Sequence, residues 1–66
     1  MELQINGERR TVPEGLTVAT LLIHLQIAPE PVAVEVNTHV VKKADHASRL
    51  LQEGDAVEVV AFVGGG

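Results

Sequence analysis

One segment alone has the spacing of an amphipathic helix, and the segments around it alternate as strands do. Thr17 occupies the position of a helix N-cap, and the helix must end before Pro29 and Pro31. Apolar residues between these limits recur at helical spacing and predict one buried stripe of Val18, Leu21, Leu22 and Leu25. The residues expected to face water are Thr20, His24 and Gln26. Because one helix covers only one face of a sheet, the other face is open to solvent or to a partner.

A hairpin is predicted before the helix. Residues 2–5 alternate between polar and apolar side chains, and Asn6-Gly7 is the preferred pair for a type I′ turn because both positions need a positive φ. Residues 8–12 then form the returning strand. A strict two-residue turn pairs Leu3 with Arg10 and directs a charge toward the core. Either this is an edge strand whose charges oppose aggregation or the turn is longer, and the sequence leaves both open.

Three strands are predicted after the helix, over residues 32–36, 40–41 and 56–63. A turn at Asn37-Thr38 joins the first two. Residues 42–52 are polar and irregular, with one helical turn that places Leu50 or Leu51 in the core. This element order predicts a small α+β roll with the helix on one face of the sheet. The core between helix and sheet is predicted to join Leu21, Leu22 and Leu25 to Val34, Val36, Val57 and Val59.

The length limits what such a fold can contain. With 66 residues there is room for one small domain, and a chain this short buries only about 60% of its unfolded surface. The sequence has no Cys, so no disulfide reinforces the core. No apolar run approaches roughly 20 residues, and residues 1–4 lack the features of a signal peptide. We therefore expect a cytoplasmic protein without a membrane partner.

The charge balance argues against nucleic acid as a partner. Five basic and nine acidic residues give a net charge of −4, and the chain has a single Phe with neither Tyr nor Trp. Nucleic-acid binding needs a basic face, and single strands need aromatic stacking platforms. The acidic surface is expected to be solvated or to face a basic partner surface.

The sequence contains no catalytic or metal-binding pattern. Asp45, His46 and Ser48 include the residue types of a nucleophilic triad, but they are too close together to form its relay. They are expected to form a polar surface loop. The histidines lack metal-ligand spacing and are expected to be exposed and without a function: His24, His39 and His46. We expect no metal site, no bound cofactor and no enzymatic activity.

The sequence ends on Gly64, Gly65 and Gly66, directly after the predicted long strand. We expect residues 1–63 to form the domain and residues 64–66 a flexible tail of about 10 Å when extended. Without side chains, this tail can thread a narrow cleft and present the Gly66 carboxylate. A carboxylate is a poor acyl donor until AMP is attached to it. Gly66 is therefore the candidate reacting group, and a partner enzyme supplies the catalysis.

A docking patch is predicted beside the tail. If Val57 and Val59 face the helix, alternation places Glu58, Val60 and Phe62 on the open face of the sheet. Phe62 lies two residues before the glycines and is either an anchor for a partner pocket or satellite core at the sheet edge. Both interpretations remain open.

The C-terminal segment LQEGDAVEVVAFVGGG, residues 51–66, resembles the C-terminus of the thiamine-biosynthesis sulfur carrier family, ThiS. Residues 3–7 resemble the opening hairpin of that family, and residues 15–25 resemble its helix entry. The resemblance covers essentially the whole chain. It implies a ubiquitin-like β-grasp fold with a mixed sheet of four to five strands and one main helix on one face. The departures are a third glycine, where many relatives have two, and Arg10.

The resemblance also implies a carrier cycle. An adenylating enzyme of the ubiquitin-activating type (ThiF-like) uses ATP to convert the Gly66 carboxylate into an acyl-adenylate. A persulfide from a cysteine desulfurase or a relay protein replaces AMP and leaves a thiocarboxylate. Thiazole synthase (ThiG-like) then accepts the sulfur, so the protein is a cosubstrate. The residues that we predict to contact these partners are Glu58, Val60, Phe62, Gly64 and Gly65.

Two alternatives remain. Within the same fold, the chain is the small subunit of molybdopterin synthase or a tRNA-thiolation carrier, although the former is typically longer. In a different class, it is a ubiquitin-like binding module whose tail is only a flexible end. A thiocarboxylate on protein isolated from cells separates any carrier from the binding module.

Overall fold

The computed structural model describes residues 1–27 and 32–61. The strands and the α-helix in these ranges are β1 Glu2–Ile5, β2 Glu8–Thr11, α1 Val18–His24, β3 Val32–Val36, β4 His39–Val41 and β5 Ala56–Ala61. A 3₁₀ turn spans Lys43–Asp45. The predicted element order is confirmed. The predicted boundary between domain and tail, at residues 63 and 64, lies outside the described residues.

The five strands form one mixed sheet in the order β2-β1-β5-β3-β4. β5 lies in the centre, parallel to β1 and antiparallel to β3. The edges are β2, antiparallel to β1, and β4, antiparallel to β3. Two hairpins therefore flank β5, the last of the described strands, one on each side. A mixed sheet of this order with one helix on one face is the β-grasp arrangement, so the predicted fold class is confirmed.

The first hairpin has the shorter of the two turns that the sequence leaves open. Asn6 and Gly7 have φ values of 51° and 83°, in the left-handed region that a type I′ turn requires. Leu3 pairs with Arg10 across the hairpin. Because β2 is an edge strand whose residues are all exposed, the Arg10 side chain stays in water. Charges on such an edge oppose pairing with another chain.

Helix α1 begins where the sequence predicts it. The Thr17 hydroxyl accepts a hydrogen bond from the Thr20 amide at 3.2 Å, and the Thr20 hydroxyl accepts one from the Thr17 amide at 2.7 Å. This reciprocal capping satisfies amide groups that have no partner within the helix. The buried residues of the helix are Val18, Leu21 and Leu22. Leu25 follows the helix and is half-buried, whereas Ile23 is 72% exposed.

The core lies between α1 and one face of the sheet. Its strand residues are Leu3, Ile5, Val34, Val36, Val57 and Val59. The predicted alternation of β1, β3 and β5 is therefore confirmed. Of the two candidates in the irregular segment, Leu51 is buried and Leu50 is 49% exposed. The Leu51 amide donates to the Leu16 carbonyl at 2.9 Å, which holds the end of this segment beside the entry to the helix.

His46 corrects the expectation that all three histidines are exposed. Its side chain is 6% exposed, and its Nε2 lies 3.1 Å from the Val41 carbonyl oxygen. Its own carbonyl accepts a hydrogen bond from the Ala19 amide at 2.9 Å. His46 thus ties the end of β4 to the first turn of α1. His24 and His39 are exposed, as predicted.

Candidate functional site

The structure describes part of the predicted site. Glu58 and Val60 lie on β5 and are exposed, as predicted, with Val60 53% accessible. The other predicted site residues lie outside the described residues: Phe62, Gly64, Gly65 and Gly66. The described part of the site is therefore β5 and the sheet face opposite α1, which we call the open face.

Hydrogen bonds along both edges fix β5 in the sheet. These bonds extend almost to the end of β5, where the chain continues into residues 62–66. On one edge, β3 pairs with residues 57–61. On the other edge, β1 ends and Asn6 continues the pairing, because its backbone amide donates to the Val57 carbonyl at 2.9 Å. The Asn6 side chain then donates to the Val59 carbonyl at 3.2 Å and accepts from the Val59 amide at 2.7 Å. The side-chain amide of Asn6 therefore imitates one further residue of β1.

A second network fixes the start of β5. Asp55 is 9% exposed, and its two carboxylate oxygens accept hydrogen bonds from the Gln52 amide and from Asn37 Nδ2, both at 2.9 Å. Asn37 Oδ1 accepts from the Ala56 amide at 3.0 Å, and the Asn37 amide donates to the Ala56 carbonyl at 2.7 Å. The turn between β3 and β4 is thereby joined to the turn that precedes β5.

The open face carries acidic and apolar side chains next to each other. Directly opposite residues on paired strands project to the same face. Val60 of β5 lies opposite Ala33 of β3. Glu58 lies opposite Glu35, which in turn lies opposite Val40 of β4. Val40 is 69% exposed. We call Glu35, Glu58, Val40 and Val60 the glutamate–valine patch.

No salt bridge found among the described residues involves Glu35 or Glu58 of the glutamate–valine patch. The salt bridge found there joins Arg9 Nε to Glu2 Oε1 at 3.7 Å, between β2 and β1. Both of its side chains are at least half exposed, so its contribution is about 0–1 kcal/mol. Like charges directly opposite each other destabilise a sheet. Glu35 and Glu58 therefore face each other across neighbouring strands, and neither takes part in a salt bridge found among the described residues.

Residues 1–27 and 32–61 contain no group of three or more His, Cys, Asp or Glu side chains placed to bind a metal. Asp45, His46 and Ser48 do not form a relay, because the Ser48 hydroxyl donates to the Asp45 carbonyl and His46 Nε2 donates to the Val41 carbonyl. No helix in the described ranges is long and apolar enough to cross a membrane.

Comparison with known proteins adds a family match. The model of the ThiS family matches residues 3–66. The chain is 39% identical to the thiamine biosynthesis protein (ThiS) from Geobacter metallireducens, whose crystal structure has a TM-score of 0.85 to it with 100% of both chains covered.

Two further relatives are larger proteins. The chain is 46% identical over 66 residues to a thiazole synthase from Magnetococcus marinus and 44% identical over 66 residues to one from Paramagnetospirillum magneticum. Each match covers 100% of this chain and 20% of the relative. The chain therefore spans about a fifth of the length of these relatives.

Proposed function

The chain belongs to the ThiS family, and from this premise we propose that it is a sulfur carrier in thiamine biosynthesis, a cosubstrate rather than an enzyme. The observation that carries the proposal is the extent of the family match, which runs through residue 66 and so includes the terminal glycines. A tail without side chains suits a partner whose active site only a main chain can enter. β5, the strand before the tail, is hydrogen-bonded along both edges, so the tail starts from a fixed position in the sheet.

The reacting group in this proposal is the carboxylate of Gly66. An enzyme of the ubiquitin-activating type transfers AMP from ATP to the carboxylate and releases pyrophosphate, which gives the acyl carbon a leaving group. A persulfide attacks that carbon, and AMP leaves as the carbon–sulfur bond forms. A thiol then cleaves the sulfur–sulfur bond, which leaves the thiocarboxylate on Gly66 and a disulfide on the donor side. The chain supplies the carboxylate, and the partners supply the catalysis.

We propose thiazole synthase as the acceptor of the sulfur. The Magnetococcus and Paramagnetospirillum relatives are named thiazole synthases, and a segment similar to this whole chain makes up about a fifth of each. A carrier-like segment within a thiazole synthase supports direct contact between a separate carrier and that enzyme. The docking contacts proposed for it are Glu58 and Val60 on the open face, Phe62, and the spacer formed by Gly64 and Gly65.

The proposal is tested on protein purified from cells grown without thiamine. We expect intact-mass spectra to show a population in which one oxygen is replaced by sulfur, and fragmentation to place the change on Gly66. Incubation with thiazole synthase and its substrates should return the carboxylate, and incubation with the large subunit of molybdopterin synthase should not. Discharge by the latter alone would assign the chain to a different sulfur pathway. A chain that never carries sulfur would be a binding module.

A further inference from the structure

We propose that the glutamate–valine patch is the docking surface for thiazole synthase, the proposed sulfur acceptor, and that this enzyme places an arginine or lysine side chain between the carboxylates of Glu35 and Glu58. The inference rests on the proposed carrier function and deepens it, because it names the chemistry of the partner surface. The partner's cation is surrounded by apolar side chains that cover Val40 and Val60.

The strand register provides the first part of the argument. Glu35 and Glu58 are directly opposite on β3 and β5, which places their Cβ atoms about 5 Å apart. Both strands lie inside the sheet, so the two carboxylates are near the middle of the open face rather than at its rim. This arrangement costs stability in the free chain. A guanidinium or ammonium group that donates to both carboxylates removes that cost and forms charge-assisted hydrogen bonds.

The exposed valines provide the second part. Val40 of β4 lies directly opposite Glu35 of β3, and Val60 is the next residue after Glu58 on the same face of β5. They are 69% and 53% exposed, so a partner that covers them removes apolar surface from water. Apolar contacts around an ion pair also exclude water from it, which strengthens the pair. The patch therefore combines a charged centre with an apolar surround.

Charge decides which occupant fits the patch. A second copy of this chain laid on the same face would bring its own two carboxylates against Glu35 and Glu58, in a protein whose net charge is −4. A basic partner surface is complementary instead.

The position of the tail next to the patch supports thiazole synthase, the proposed acceptor of the sulfur, as this partner. Residues 62–66 continue directly from β5 and reach about 17 Å when extended. A partner seated on Glu58 and Val60 therefore has Gly66 within reach of its own active site.

The test is a calorimetric titration of purified thiazole synthase from the same organism with the parent chain and with Glu35→Gln, Glu58→Gln and the double variant. Glu14→Gln is the matched control, because it removes the same charge from an exposed residue outside the patch. We expect the dissociation constant to rise about tenfold for each single variant and further for the double variant, and to stay within about twofold for the control. The urea midpoint of the free double variant should be at or above that of the parent.

The alternative results of the titration and of urea unfolding each contradict a different part of the proposal. If the parent binds the synthase and the double variant binds equally well, the patch is not the docking surface. If the urea midpoint of the double variant falls below that of the parent, the glutamates are structural and the proposal is wrong. If the parent chain forms a dimer and the double variant forms a tighter one, the occupant of the patch is a second copy of the chain rather than the synthase. A parent chain that does not bind the synthase overturns the proposed acceptor, and the patch as its docking surface falls with it.

Discussion

At the scale of single residues, Asn6 has two roles that substitutions can separate. Its φ of 51° belongs to the turn between β1 and β2, and its side chain makes two hydrogen bonds to Val59 of β5. Glycine at this position keeps the positive φ and loses only the side chain. Alanine loses the side chain and is also strained at this φ.

We predict that Asn6→Gly lowers the free energy of unfolding by about 1–3 kcal/mol, because the Val59 amide and carbonyl lose their partners on that edge. Asn6→Ala should lower it by about 1–2 kcal/mol more, since an L side chain is disfavoured in the left-handed region. Urea unfolding followed by circular dichroism measures both. If Asn6→Gly unfolds like the parent, the side chain does not hold β5.

The sequence predicts the turn at Asn6 but not its bond to β5. Asn6-Gly7 is a local signal, whereas Asn6 and Val59 are separated by 53 residues. The same limit applies to Glu35 and Glu58. Alternation along each strand places each residue on a face, but only the pairing of β3 with β5 reveals that the two carboxylates are opposite.

At the scale of elements, α1 contributes to stability through one stripe only. Leu22 is 1% exposed, and its neighbour Ile23 is 72% exposed. Because the two residues are adjacent in one helix, substituting each by alanine changes the helix propensity by nearly the same amount. The two substitutions therefore compare the loss of a buried with the loss of an exposed aliphatic side chain.

We predict that Leu22→Ala lowers the free energy of unfolding by about 2–5 kcal/mol through lost burial and the cavity left behind. That loss is a large share of the total of about 5–15 kcal/mol expected for a folded domain. Ile23→Ala, the control, should change it by less than about 0.5 kcal/mol. If chemical unfolding shows the same loss of free energy for both variants, the buried stripe of the helix has been assigned to the wrong side.

The elements with a regular period are the ones that the sequence predicts. The Thr17 cap, the helix stripe and the alternation of β1, β3 and β5 all follow from local spacing. The apolar residues from residue 42 to residue 52 have no regular spacing. The sequence therefore does not indicate whether Leu50 or Leu51 is buried, and it does not predict the burial of His46. The hydrogen bonds of His46 to Val41 and Ala19 depend on how β4 packs beside α1.

At the scale of the whole molecule, the last described strand, β5, is the central strand of the sheet. β5 completes the sheet by joining β1, the first strand, to β3. The Asn6 and Asp55 networks fix its two ends. The proposed reactive tail thus follows the central strand of the sheet rather than an edge strand. Stability and reactivity are therefore expected to be separable, because the tail adds nothing to the predicted core.

The most direct test of the carrier proposal compares the parent chain with a chain that lacks Gly66. Both are incubated with the adenylating enzyme, ATP and a persulfide donor, and intact mass is followed with time. Deletion moves the terminal carboxylate about 3.5 Å back toward the domain, out of reach of the chemistry, while the unfolding midpoint should not change. We predict that the parent exchanges one oxygen for sulfur only when ATP is present, and that the shortened chain does not. A shortened chain that gains sulfur as fast as the parent would contradict the assignment of Gly66 as the reacting residue.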